Sequence, residues 1–575
     1  MGRIKFAGGV LCVLAVGVLG YAFYLQVILG PRYAERARSQ HEEHIELLPK
    51  RGKIYDRNGI AVVTDEKAAS IYVLPQYVED IPAAVHILSR YKLGTPTRLE
   101  RYLRTRKRFF WLRRKFDYEK ACALKAELEE ASLANAINIQ EEAKRIYPWD
   151  EVTGSMVGFV GTEHTGLAGI EYALDSLLAG EPGFAIYQKD ALGRDHPSPA
   201  YPIQEAKNGC DITLTIDLDI QAIAYEELKA ACERFAAKRG YCVVMDPQTG
   251  EILALVDHPD FAPTHYSRYA RETWKVGAVA DEFEPGSVYK PVVAAICIED
   301  SLALRNEWIP TGSGIVVQGR KITDLHGRVG YTFDDVFVKS SNIGVAKLAL
   351  RCGVRRFYEV SRLLGVGVPT GIKLPGEASG KIDRPRQMSE LRLTNNAFGQ
   401  GLSLTTLQLA AIYATFASGG VYNAPHIVKR IESDGRVIFK AKTKELRRVF
   451  SEQTAADVCE ILQKVVDEGT GKAARIEDIQ VCGKTGTAQK PVAGVGYSSS
   501  VSVVSFVGFL PRDDARILIV VVIDEPGLGR FAGEIAAPAF QHIMERILRL
   551  PVYRDIRMPP EEETEKLAQI QEREE

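Results

Sequence analysis

Glu284-Pro285-Gly286-Ser287-Val288-Tyr289-Lys290 is the stretch on which the reading of this chain turns. Proline and glycine mark a turn, and the residues from Val288 to Glu299 read as a helix opened by Ser287. Residues three apart on a helix share a face, so Lys290 is expected within hydrogen-bond reach of the Ser287 hydroxyl. A neutral serine is a poor nucleophile and needs an adjacent base. A lysine serves when partial burial and a neighbouring cation lower its pKa. The helix N-terminus also favours negative charge developing on an acyl oxygen. Alone the pattern is weak, because about one or two Ser-x-x-Lys matches arise by chance in such a chain. A second one, Ser89-Arg-Tyr-Lys92, lacks the preceding turn and reads as a chance match.

Two further motifs follow in order. Ser340-Ser341-Asn342 comes after Val336-Phe-Val-Lys339. Ser340 suits a proton relay between Lys290 and a leaving amine, and Asn342 offers a donor and an acceptor to a substrate amide. Standing alone, this cluster would read as a helix cap. Gly483-Lys484-Thr485-Gly486-Thr487 lies in a β-compatible stretch. Lys484 and the Thr485 hydroxyl suit a carboxylate ligand, and Gly486 would let a ligand backbone approach closely. A phosphate-binding loop is excluded, because no glycine-spaced loop precedes the lysine and no helix clearly follows it.

All three motifs in this order resemble the penicillin-recognising serine transferases. Arg51–Gly59, Gly166-Leu-Ala-Gly-Ile-Glu171, Asp246–Gly250, Lys339–Gly344, Phe398-Gly-Gln-Gly401, Leu407-Gln-Leu409, Gly469-Thr-Gly-Lys472 and Gly483–Gln489 extend the resemblance to class B penicillin-binding proteins. It covers nearly the whole chain and is nearest to the cell-division type, the penicillin-binding protein 3 or FtsI group. Where that family often has Asn-Arg ahead of the nucleophile turn, this chain has Val276-Gly277 and Ala278–Asp281.

The resemblance implies a peptidoglycan D,D-transpeptidase acting on stem peptides that end in D-Ala-D-Ala. Ser287, Lys290 and Ser340 would be catalytic, and Asn342, Lys484, Thr485, Gly486 and Thr487 would bind substrate. The Ser287 and Thr487 amides would form the oxyanion hole. It further implies acylation by β-lactam antibiotics, a membrane glycosyltransferase and other divisome proteins as partners, and neither metal nor cofactor. An elongation-type enzyme is the alternative within the class. A β-lactamase of class A would need a glutamate with an asparagine four residues on, and the nearest pair here, Glu390 and Asn395, is five apart. A β-lactam sensor would need further membrane spans and an effector.

From Phe6 to Pro31 no side chain is charged, and Ala7–Leu25 is nearly all apolar. About 20 apolar residues cross a bilayer as a helix, and a cleaved signal has a shorter run and a small-residue cleavage site. The segment therefore reads as an uncleaved membrane anchor. Gly9, Gly17 and Gly20 on it are small residues that permit another helix to approach. Basic residues flank the run on both sides, so charge alone leaves its orientation open. Because polymeric wall lies outside the membrane, the implied chemistry puts the large domain outside, in the periplasm.

Residues 32–46 read as a solvated helix, and His41-Glu-Glu-His44 lacks the spacing of a zinc pair. Asn58-Gly59 between apolar runs predicts a hairpin. Residues 95–150 read as helical, with Phe109, Phe110, Trp111 and Leu112 packed inward from a helix. Tyr201–Gly209 reads as a linker. Asp211–Ile216, Tyr241–Met245, Glu251–Val256, Ser502–Leu510 and Arg516–Ile523 read as strands, and Ile220–Ala237 and Ala532–Leu550 as helices.

The expected fold is α+β. An N-terminal transmembrane helix (1–30) leads to an elongated α/β pedestal domain (31–205). A transpeptidase domain (206–555) follows, with a central antiparallel sheet flanked by helices, and then a charged, disordered tail (556–575). A net charge of −1 over 575 residues gives no footprint for nucleic acid. The nine cysteines include no Cys-x-x-Cys pair and read mostly as buried small side chains, with a single disulfide open.

Overall fold

The computed structural model describes residues 2–33, 42–106, 108–189, 195–197, 203–324, 327–492, 496–529 and 531–556. The chain forms two compact units, residues 1–52 with 179–210 and residues 53–178 with 211–575.

The first unit begins with the helix Gly2–Phe23, which continues as a π turn through Ile28. It is 27 residues long and contains an 18-residue stretch of mean hydropathy 2.2, long and apolar enough to cross a membrane. A small antiparallel sheet follows. Strand Glu42–Leu47 pairs with Gly183–Lys189, which also pairs with Asp195–Pro197 and Ile203–Gln204. The helix expected over 32–46 is thus replaced by a strand from Glu42 onward. Pairing with a distant segment overrides the helical propensity of its glutamates. His41 lies outside the described residues, as does the acidic tail.

In the second unit, the Asn-Gly signal produces a hairpin. Ile54–Tyr55 pairs antiparallel with Ala61–Val73 across a turn in which Gly59 has φ +86°. The fully buried Asp56 organises that turn. Its Oδ1 accepts the amides of Asn58 at 2.9 Å and Ile60 at 2.7 Å. The other edge of Ile54–Tyr55 pairs in parallel with Asp211–Leu214, which in turn pairs with Val428–Ser433. One seven-stranded sheet therefore joins segments from both halves of the sequence.

The stretch expected to be helical over 95–150 is mixed. Helices Pro96–Thr105 and Tyr118–Glu130 alternate with strands Phe110–Asp117 and Ile137–Ile146, both paired to Ala61–Val73. The aromatic cluster lies at and within a strand, so its side chains alternate instead of all facing inward. Phe110 is 6% exposed, whereas Phe109 is 49% and Trp111 36% exposed.

The transpeptidase sheet has five antiparallel strands in the order Ile252–His258, Arg239–Met245, Ile517–Asp524, Gly496–Leu510 and Cys482–Val492. Both ends of the domain thus supply one sheet, as the strand pattern predicts. Helices Leu218–Arg234 and Ala536–Ile547 belong to one apolar core of this sheet. Lys290–Glu299 and Thr406–Ala417 belong to the other. Thr406–Ala417 is apolar nearly all round and buried, as such a helix must be. Cys482–Val492 ends the sheet order and so presents an edge.

Arg145 and Glu171 form a buried ion pair, 2.6 Å from Nε to Oε1, with side chains 1% and 0% exposed. Removing Glu171 leaves the buried Arg145 guanidinium with Asp65 at 3.2 Å. Glu171→Ala is expected to destabilise the protein by up to about 3–5 kcal/mol, measured by urea unfolding, with Glu171→Gln intermediate.

Candidate active site

Ser287 lies in a tight 3-10 turn, Gly286–Tyr289, that feeds the helix Lys290–Glu299. Gly286 takes φ +62° and Gly399 φ +79°. A Cβ on Gly399 would lie 2.1 Å from the Gly286 carbonyl oxygen, so the Phe398–Gly401 segment can back the nucleophile turn only as glycine. The Gly286 amide donates to the Gly399 carbonyl at 3.0 Å, and the buried Tyr413 hydroxyl donates to the Val288 carbonyl at 2.8 Å. Glu284 accepts the Gly401 amide at 3.0 Å. Ser287 itself is half-buried, and its amide lies in the first turn, where no intrahelical acceptor exists.

Lys290 is 1% exposed. Its Nζ donates to the Ser340 carbonyl at 2.6 Å, the Ser340 hydroxyl at 3.1 Å and Asn342 Oδ1 at 2.7 Å. These three contacts surround its nitrogen, the Ser340 hydroxyl being able to donate to a neutral amine, and it makes no hydrogen bond to the Ser287 hydroxyl in this conformation. Ser340 adopts φ +59°, a conformation that non-glycine residues rarely hold. Both its carbonyl and its hydroxyl meet Lys290.

Lys484 reaches the same hydroxyl from the opposite side. Its Nζ lies 3.2 Å from Ser340 Oγ and 3.1 Å from the Thr485 carbonyl, and the residue is fully buried. Two ammonium groups around one hydroxyl cannot both be stable away from water. Burial, and then the charge of Lys484, push Lys290 well below the usual lysine range, while Asp324 pulls the other way. Burial brings Lys484 down to about 7.

The other expected substrate contacts divide. Thr485 Oγ1 shares a 2.6 Å hydrogen bond with Thr470 Oγ1, which ties the Gly469-Thr-Gly-Lys472 segment to the site. Thr487 is exposed, and its hydroxyl accepts the Ala532 amide at 3.3 Å. Gly486 is needed for a reason the sequence did not reveal. A Cβ there would lie 2.8 Å from Val288 Cγ1 and 2.9 Å from the Pro285 carbonyl, so the missing side chain admits the nucleophile turn itself.

Asp324 escaped the motif reading. Its carboxylate accepts the Ser341 hydroxyl at 2.6 Å and the amides of Asn342 at 2.6 Å and Ile343 at 3.0 Å. It thereby caps the helix Asn342–Leu363 jointly with Ser341, whose hydroxyl accepts the Gly344 amide. The second Ser-x-x-Lys match behaves differently. The Ser89 hydroxyl donates to the His86 carbonyl in its own helix, and Lys92 lies past the helix end with φ +57°.

Comparison with known proteins fits this geometry. Residues 240–545 match the penicillin-binding protein transpeptidase domain, and residues 46–214 match the penicillin-binding protein dimerisation domain. The chain belongs to the class B penicillin-binding proteins. The probable peptidoglycan D,D-transpeptidase PenA of Neisseria meningitidis is 32% identical over 549 residues, covering 94% of this chain and 92% of the relative. The peptidoglycan D,D-transpeptidase FtsI of Escherichia coli is 30% identical over 552 residues, covering 94% and 90%. A crystal structure of penicillin-binding protein 3 from Mycobacterium tuberculosis in complex with aztreonam superposes with a TM-score of 0.69 at 28% identity, covering 88% of this chain and 97% of that one. This class B penicillin-binding protein is therefore a peptidoglycan D,D-transpeptidase, with peptidoglycan as substrate and β-lactams as ligands.

The Asp324 cap holds Asn342 through charge-assisted bonds worth about 1.5–3 kcal/mol. Asp324→Ala is expected to slow penicillin acylation about 10- to 100-fold without loss of the fold. Stopped-flow acylation alongside circular dichroism checks both.

Proposed function

We propose that this protein cross-links stem peptides through an acyl-enzyme on Ser287, in septal wall synthesis. The observation that carries the chemistry is the pair of buried lysines meeting at Ser340. The donor's terminal carboxylate is taken by Lys484 and the Thr485 hydroxyl, with Thr487 beyond them. Ser287 attacks the penultimate carbonyl, and neutral Lys290 accepts the hydroxyl proton after turning from its resting contacts. The Ser287 and Thr487 amides receive the oxyanion, a contribution of about 3–4 kcal/mol per donor. Ser340 hands a proton to the departing D-alanine, and Asn342 orients the peptide amide. An amine from a neighbouring strand then resolves the ester. No step calls on a metal or cofactor.

Residues 1–30 serve as an uncleaved anchor with the catalytic domain outside the membrane. Residues 31–205 serve as the pedestal, and 206–555 as the catalytic domain. The glycines of the anchor offer a surface to the membrane glycosyltransferase that supplies uncross-linked strands. A septal role is favoured by the Ser340-Ser341-Asn342 motif and by the resemblance to FtsI. Replacing residues 2–28 with an unrelated membrane helix is expected to preserve labelling by fluorescent penicillin and to impair division. Normal division with the replacement would reduce the helix to a tether.

Ser287→Ala is expected to abolish covalent labelling by penicillin, read by intact mass, and a label elsewhere would overturn the nucleophile. The pH dependence follows from the lysines. Acylation needs neutral Lys290, so the rate falls as pH drops through its lowered pKa. Carboxylate binding needs cationic Lys484, so the rate falls again as pH rises above about 7. A bell-shaped profile is expected. Lys484→Arg keeps its charge at alkaline pH and should lose the alkaline limb, whereas Lys290→Ala should abolish acylation at every pH.

A further inference from the structure

The helices Lys290–Glu299 and Asn342–Leu363 run side by side in the same direction. At their first turns Lys290 Nζ donates to Asn342 Oδ1 at 2.7 Å. Two turns further along the same face of the first helix, Cys297 meets Cys352 of the second, with the two sulfurs 3.5 Å apart. The Cys297 thiol also lies 3.9 Å from the Leu348 carbonyl oxygen. The helix pair is therefore joined at one end by the active-site lysine, and at the other two thiols face each other.

The backbone at Cys352 suits a closer approach. Gly353 takes φ +70° and ψ 158°, which interrupts the second helix immediately after Cys352. A Cβ on Gly353 would meet nothing within 4 Å, so glycine serves the backbone conformation there and not close packing. The turn that carries Cys352 can thus shift without dragging the next one. Bonded sulfurs lie about 2.05 Å apart, so closing the gap takes about 1.5 Å of combined movement. Cys459 and Cys482 are disposed differently. The Cys482 thiol donates to the Cys459 carbonyl at 3.2 Å, and the Cys459 thiol to the Phe416 carbonyl at 3.7 Å.

We propose that Cys297 and Cys352 are a modification site, oxidised to a disulfide that fastens the far ends of the helices carrying Lys290 and Asn342. The oxidant is a disulfide-bearing thiol oxidase outside the membrane, so the inference rests on the placement of the catalytic domain there. The Cys352 thiolate attacks one sulfur of the oxidant's disulfide and expels its other sulfur as a thiolate. The Cys297 thiolate then attacks the Cys352 sulfur and expels the oxidant's remaining thiolate. Two protons and two electrons pass to the oxidant, whose disulfide becomes two thiols.

Burial sets when this happens. In the folded protein Cys297 is 0% and Cys352 8% exposed. The hydrogen bond with Cys352, and then burial, hold the Cys297 thiol above the usual thiol range, which leaves little thiolate for exchange. The exchange therefore takes place while the two helices are still closing, and the finished bond is shut away from reductants. The bonded positions are 55 residues apart, and the loop between them contains Asp324, Ser340 and Asn342. Closing a loop of that length restricts the unfolded chain. The link thus keeps the two helices together on heating.

The full-length protein is taken from cells with its free thiols trapped by N-ethylmaleimide in denaturant, digested without reductant and mapped by mass spectrometry. A linked peptide pair joining Cys297 and Cys352 is expected, two hydrogens lighter than the separate peptides and split by reductant. In parallel, a membrane-impermeant maleimide on intact spheroplasts should reach the exposed Cys122. The Cys297→Ala/Cys352→Ala variant should be acylated by benzylpenicillin within twofold of the wild-type rate at room temperature, and should lose that competence about 5 °C lower on heating. Reductant present during heating should lower the wild-type midpoint and leave the variant's unchanged, which separates loss of the bond from the cavity left by two alanines. Free thiols at both positions with Cys122 labelled from outside, or a Cys459–Cys482 bond in their place, would overturn the disulfide and leave the topology standing. Free thiols with Cys122 reached only after detergent would overturn the outside placement and the disulfide with it.

Discussion

The side-chain nitrogens of two buried lysines lie 3.1 and 3.2 Å from one serine hydroxyl. Charge repulsion between them, in a low-dielectric interior, forces the pair to share less than its full complement of protons. Burial, and then the charge of Lys484, push Lys290 well below the usual lysine range against the pull of Asp324. A neutral amine can serve as a base and a cationic one can receive a carboxylate, so a pair with unequal proton affinities suits the two roles proposed for it.

The rest of the domain holds both nitrogens on that hydroxyl. Lys290 arrives on a helix whose first turn is pinned by Gly399, Tyr413 and the missing side chain of Gly486. Lys484 arrives on a strand whose partner, Gly496–Leu510, holds it in one register over the eight pairs from Cys482 to Gln489. Ser340 arrives between two helices, Phe333–Val338 and Asn342–Leu363, in a conformation that costs on the order of 1–3 kcal/mol. Asp324 and Ser341 cap the second of those helices and hold that backbone in place. Each element is buried against the same apolar core, so a shift in one is resisted by close packing rather than by any single bond.

Legibility in the sequence follows this division. Lys290, Ser340, Asn342 and Lys484 were readable because each lies within a short motif whose geometry is local, a helix turn or a strand. The sheet was readable because its strands are apolar runs bounded by turns. Asp324 was not readable, because it lies seventeen residues before Ser341, with strand Gly330–Thr332 and helix Phe333–Val338 between them. The strand Phe110–Asp117 reads as helix from sequence because its charges suit a helix surface, and only its pairing with Ala61–Val73 decides otherwise. Gly486 was read from its own motif as room for a ligand, while the structure shows room for the Ser287 turn. A glycine's reason lies in whatever packs against it, and that partner is distant in sequence.

The edge strand closes the argument. An unpaired strand edge is ordinarily an aggregation hazard, and proteins cover it or charge it. Here the edge at Lys484–Thr487 faces the nucleophile turn, and its outer end at Gln489–Lys490 borders a cavity rich in paired charge. Charge at the outer end of the edge, and the nucleophile turn across its inner end, both deter another protein strand from pairing there, while the edge itself stays open.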